Sequence, residues 1–123
     1  MRHGDLCYGC GQANVFGLQL ELEPAGDDAA AGRFFVKQDH QGPRGDAHAG
    51  VLAAALLEAM ALCARAASPP RRLEVELTGS APVGTFVELT ARVERRTAEA
   101  VEVVAEASGE RGALASARAT FPV

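Results

Sequence analysis

Glu58 is the residue whose setting most suggests chemistry. It is the only acid between Asp46 and Glu74, and it lies inside a stretch, Ala49 to Ala67, built mainly of Ala, Leu, Met and Cys. Burying an unpartnered carboxylate is costly, so Glu58 must be paired, face a cavity, or carry a proton. Paired, it would meet Arg65, Arg71 or Arg72; facing a cavity, it is a candidate general base. A second feature is His48-Ala49-Gly50, which follows a loop containing Gly42, Pro43 and Gly45. If a helix begins there, its free backbone N–H groups sit at the positive end of the dipole and could hold an oxyanion. A plain loop-to-helix junction accounts for the same residues. Third, Cys7-Tyr8-Gly9-Cys10 has the spacing of half a zinc site. The other half would have to come from His3, His40, His48 or Cys63. Cys63 falls on an apolar helical stripe and reads as core, so a structural turn is the expectation, with no metal and no cofactor assigned.

The elements that position these residues follow from periodicity. Residues 1–15 are rich in Gly, Cys and polar residues and read as an irregular lead-in. Phe16, Leu18, Leu20 and Leu22 alternate with polar residues, which predicts a half-buried strand over 16–23. A turn at Pro24–Asp28 leads to a second strand over 31–38, hairpinned to the first. From 48 to about 66 the chain is helical, apolar on nearly every face and so expected to be buried on nearly every face, with Ser68-Pro69-Pro70 as the stop. Four alternating segments follow: around Leu73–Leu77, Val87–Val93, Val101–Ala107 and Ala113–Phe121, with Ala81-Pro82-Val83-Gly84 as a corner. One long helix against one antiparallel sheet is an α+β layer arrangement, read as a single domain spanning 1–123.

Composition excludes several classes. A net charge of −4 argues against a nucleic-acid-coating surface. Nothing resembles a secretory signal or a membrane span, since the most apolar stretch is interrupted by Glu58 and Arg65. Three cysteines, two close together and one distant, make no disulfide framework. A cytoplasmic protein is expected. There is no GxSxG elbow, no dinucleotide-binding glycine pattern and no Walker loop. The apolar residues make up 48% of the chain, but 25 of them are Ala and none is Ile or Trp. Each buried Ala removes little apolar area from water, which hints at a second subunit.

In combination these segments resemble the hotdog-fold thioesterase superfamily, and within it the small acyl-CoA thioesterases. Cys7-Tyr8-Gly9-Cys10-Gly11-Gln12-Ala13-Asn14-Val15-Phe16-Gly17-Leu18 is similar to the "CxxCGxxNxxGL" opening of one subgroup. His40-Gln41-Gly42-Pro43-Arg44-Gly45-Asp46-Ala47-His48-Ala49-Gly50-Val51-Leu52 resembles its "HQGxxGxxHGGxL". The resemblance implies a hotdog fold: a sheet of about six strands wrapped round the central helix. It also implies an obligate homo-oligomer, a dimer or dimer of dimers, with acyl-CoA bound at the subunit interface. The implied site has Ala49 and Gly50 as oxyanion donors, His48 shaping the turn, and Glu58 as base. His40, Gln41 and Asn14 would supply polar substrate contacts, and Arg71, Arg95 and Arg96 would meet the CoA phosphates. Three features depart from the pattern: the first Gly of HGG is Ala49, the family's usual Asp falls on Leu57, one residue before Glu58, and Pro70-Arg71 stands where many relatives open the next strand with a hydroxyl residue. The alternative is therefore a non-catalytic hotdog dimer that binds acyl-CoA or serves as an assembly module.

Overall fold

The period-two segments form a single sheet in the computed structural model, which describes residues 1–123. The strands are β1 (Glu21–Pro24), β2 (Ala29–Phe35), β3 (Arg72–Leu77), β4 (Phe86–Arg96), β5 (Ala100–Gly109) and β6 (Gly112–Pro122). Every pairing is antiparallel and the order is β1-β2-β4-β5-β6-β3. The helix α1 (Ala49–Ala64) lies against one face of this sheet, chiefly on β4, β5 and β6. The α+β expectation of one helix and six strands therefore holds.

Alternation decides which face is covered. In β5, Val101, Val103, Ala105 and Ala107 are buried, while the residues between them are exposed or half-buried. Across from them α1 buries Leu52, Ala55, Leu56, Ala59 and Met60. Small side chains on β6, namely Ala115, Ala117 and Ala119, complete the same surface. Close approach of helix and sheet needs side chains of this size, because interiors are packed without voids.

Three details differ from the sequence expectation, each for a local reason. The segment 16–23 is strand only from Glu21. Gln19 takes a left-handed φ of 50°, which ends extended geometry. Leu18 and Leu20 N–H instead donate to the carbonyls of Tyr8 and Gly9, at 2.8 and 2.9 Å. Phe16 is consequently 75% exposed, although Leu18, Leu20 and Leu22 are core. The second strand spans 29–35 rather than 31–38, since a 3-10 turn over Gln38–His40 follows closely. The helix ends at Ala64 because Arg65 turns left-handed, ahead of the Pro69-Pro70 pair expected to stop it.

The helix is also less completely covered than its apolar sequence suggests. Val51, Ala54, Leu57, Glu58 and Ala61 are only half-buried and form a stripe along one side. The β3 edge carries Leu73 and Leu77 at 39% and 47% exposure. No helix is long and apolar enough to cross a membrane.

Candidate functional site

The start of α1 is built by the loop before it. His48 N–H donates to the His40 carbonyl at 2.8 Å, and Ala47 N–H to the Ala81 carbonyl at 2.8 Å, which pins the helix origin to two other segments. His48 is the N-cap, and its Nδ1 accepts the Gly50 N–H at 2.8 Å. Val51 and Leu52 N–H both point to the His48 carbonyl. Of the two amides expected as donors, that of Gly50 is thus already satisfied, and that of Ala49 has no acceptor in the chain. Ala49 also lines a cavity of about 270 Å³ formed with Asp46, Leu52, Leu77, Gly79 and Ser80. One free N–H at the positive helix end, on a residue that lines a cavity, can stabilise charge developing on a carbonyl oxygen.

Glu58 lies elsewhere. Its Oε2 is 2.8 Å from His3 Nδ1 and accepts from Cys7 Sγ at 3.3 Å. None of the arginines weighed as partners reaches it. Its side chain is 13% exposed against 39% for His3. The lead-in is folded onto the middle of α1 to make this possible. Gly11 N–H closes a turn on the Cys7 carbonyl at 2.9 Å, and Asn14 ties the segment together, its Nδ2 donating to the Leu6 carbonyl and its Oδ1 accepting from Phe16 N–H. A Cβ at Gly9 would overlap the Glu58 side chain and force it to move. Cys10 is fully buried, and burial first, then the hydrogen bond with Glu58, push its thiol up to about 12.

The remaining expected ligands are dispersed. His40 is buried, with Nδ1 accepting from Lys37 N–H at 3.0 Å and Nε2 3.1 Å from the Gly17 carbonyl. It supports the loop from within. Gln41 is exposed and its Oε1 accepts from Gln38. Arg95 pairs with Glu102 at 3.5 Å and Arg96 with Asp28 at 2.8 Å, whereas Arg71 is exposed and free of any ion pair. Cys63 is buried as expected, its thiol donating to the Asp28 carbonyl.

The sequence reading missed that His3, Cys7, Cys10 and Glu58 converge. The available signal was that two features were each incomplete: a buried acid without a basic partner at helical spacing, and a CxxC without its second pair.

Residues 38–122 match the family described as the acyl-CoA thioesterase N-terminal domain. Among solved structures, the chain is similar to a phenylacetic acid degradation-related protein from Ralstonia eutropha, with TM-score 0.78, 22% identity and 86% of each chain covered. It is also similar to the Escherichia coli PaaI protein from the phenylacetic acid degradation operon, with TM-score 0.79, 14% identity, and 93% of this chain and 87% of that one covered. Zebra fish thioesterase superfamily member 2 superposes with TM-score 0.74, 17% identity, and coverage of 84% and 80%. No curated protein sequence matches significantly.

Proposed function

Because this chain belongs to the acyl-CoA thioesterase N-terminal domain family of hotdog proteins, we propose that it hydrolyses acyl-CoA thioesters at the start of α1. The observation that carries this is the Ala49 N–H, which has no acceptor in the chain, on a residue that lines a cavity with Asp46 and Ser80. Water attacks the thioester carbonyl carbon, and the carbonyl electrons move to oxygen, where the Ala49 N–H and the helix dipole receive them. Collapse breaks the C–S bond. The CoA thiolate takes up one proton of the attacking water and the other passes to solvent, leaving a carboxylate and the free thiol. Such polarisation together with binding supplies about 10³–10⁴-fold over water in enzymes stripped of their other catalytic groups.

The base expected at Glu58 is engaged by His3 and Cys7, and Glu58 lies nine residues from Ala49, about 13 Å along the helix axis. Within one chain it is too far to serve a carbonyl held at Ala49. The proposal therefore rests on the helix start. Of the three arginines expected at the CoA phosphates, Arg71 is the one in no ion pair. A second copy of the chain would cover the half-buried stripe of α1 and the exposed β3 edge with its Leu73 and Leu77, enclosing the exposed helix start at an interface.

The second reading is a hotdog protein that binds acyl-CoA without turnover, favoured by Leu57 at the position of the family's usual acid. Thiol release measured over short-chain, long-chain and aryl acyl-CoAs, beside calorimetric binding of the same compounds, separates the two. Release above the buffer rate on any of them supports hydrolysis. Binding without release supports the second reading.

A further inference from the structure

We propose that His3, Cys7, Cys10 and Glu58 form a tetrahedral zinc site that fastens the lead-in to the middle of α1. One ligand atom from each lies within 4.8 Å of every other. The Glu58–His3 separation is 2.8 Å, Glu58–Cys7 is 3.3 Å, and each sulfur is 3.7 Å from His3 Nδ1. Zinc bonds of about 2.3 Å to sulfur and about 2.0–2.2 Å to nitrogen and oxygen give a tetrahedron with edges of roughly 3.3–3.8 Å. Three of those four separations already fit, and the fourth is a hydrogen bond that opens by about half an ångström when the ion replaces it.

The donor chemistry selects the ion. Two thiolates with an imidazole and a carboxylate suit zinc, whereas calcium and magnesium take oxygen ligands. Four protein ligands fill a tetrahedron and leave no open position, which is the arrangement of a structural site. Binding releases both thiol protons, so Zn²⁺ joins two thiolates, one carboxylate and neutral His3 with a net charge of −1. The surroundings are shaped for this. His3 N–H donates to Cys10 Sγ at 3.0 Å, and Gly9 lets the Cys7–Cys10 turn approach Glu58 more closely than any side chain would allow. His3, Cys7 and Cys10 lie outside residues 38–122, so the site is additional to the family match. It is independent of hydrolysis, because it is read without substrate.

Cobalt(II) titration of the full chain, expressed without a histidine tag, tests the site. The expected result is one equivalent bound with thiolate-to-cobalt charge-transfer absorption and the intense d–d bands of tetrahedral cobalt, both abolished by zinc. Cys63→Ser should titrate like wild type, whereas Cys7→Ser and Glu58→Gln should weaken binding and alter the spectrum. Absence of the charge-transfer band in the wild-type chain overturns the proposal, and so does a spectrum unchanged in Cys7→Ser. An intact mass lower by two hydrogens, indicating a Cys7–Cys10 disulfide, also overturns it. Wild-type titration needs no variant to fold, and a metal-binding chain that fails to release thiol would sink the hydrolytic reading alone.

Discussion

The imidazole of His40 accepts on Nδ1 and so donates from Nε2 to the Gly17 carbonyl, which fixes its tautomer. It is 1% exposed and stacks edge-on to Phe34 at 6.0 Å. Removing it strands a half-buried N–H on Lys37 and a buried carbonyl on Gly17, the latter costing about 1–3 kcal/mol. His40→Leu should therefore lower unfolding free energy by about 2–4 kcal/mol in urea titration, while a loss below about 0.5 kcal/mol would show that the loop does not depend on it. A sequence places His40 beside a glycine-rich loop and so suggests a ligand. Only the fold reveals that both ring nitrogens are occupied. Glu58 differs in that its sequence setting correctly demanded a partner, but the partner lies 55 positions away at His3. Gly9→Ala tests that packing: with no space beside Glu58, the variant should lose stability against wild type in thermal unfolding, and an unchanged midpoint would contradict the contact.

Among the elements, the regular strands were legible and the irregular ones were not. β5 alternates throughout and β6 from Ala115 onward, so period two placed them within two residues of their observed ends. The segment 16–23 alternates just as well, yet Gln19 turns left-handed and the lead-in, rather than another strand, satisfies Leu18 and Leu20. Alternation reports which residues are buried; it does not report what supplies their hydrogen bonds. Surface ion pairs then join neighbouring and next-neighbouring elements. The Arg96 guanidinium, which hydrogen-bonds Asp28, holds that carboxyl below its ordinary 3.8, and Arg118 beside Glu94 holds that one below 4.5. Carboxyls depressed in the folded state contribute stability above their unfolded pKa, and the contribution is lost as pH falls through the folded value. Arg96→Gln and Arg118→Gln should therefore destabilise at pH 7, and the gap to wild type should close below about pH 4. A gap that widens on acidification would reverse the assignment. Raised salt should narrow it at neutral pH.

For the molecule as a whole, the alanine excess has a physical consequence. Small side chains bring α1 close to the sheet, but they leave a half-buried stripe at Val51, Ala54, Leu57 and Ala61 and an exposed row on β3. The unpaired backbone groups of this exposed sheet edge, with Leu73 and Leu77 beside them, are a template for pairing with another chain. Light scattering should find a dimer or a larger even assembly, and Leu77→Lys, on the β3 edge, should shift it toward monomer. A wild-type monomer at all concentrations would remove the interface from the account. The claim on which the functional reading depends concerns one backbone N–H, and it can be deleted without deleting the helix. Proline is favoured at the first helical position, and His48 already has the extended backbone, φ −59° and ψ 138°, that the residue before proline requires. Thiol release by Ala49→Pro should fall by about 10²–10³-fold in kcat, as for loss of one oxyanion donor, while Ala49→Gly, which keeps the N–H, remains near wild type. Equal turnover by the proline variant and wild type would contradict the helix start as the site of thioester polarisation.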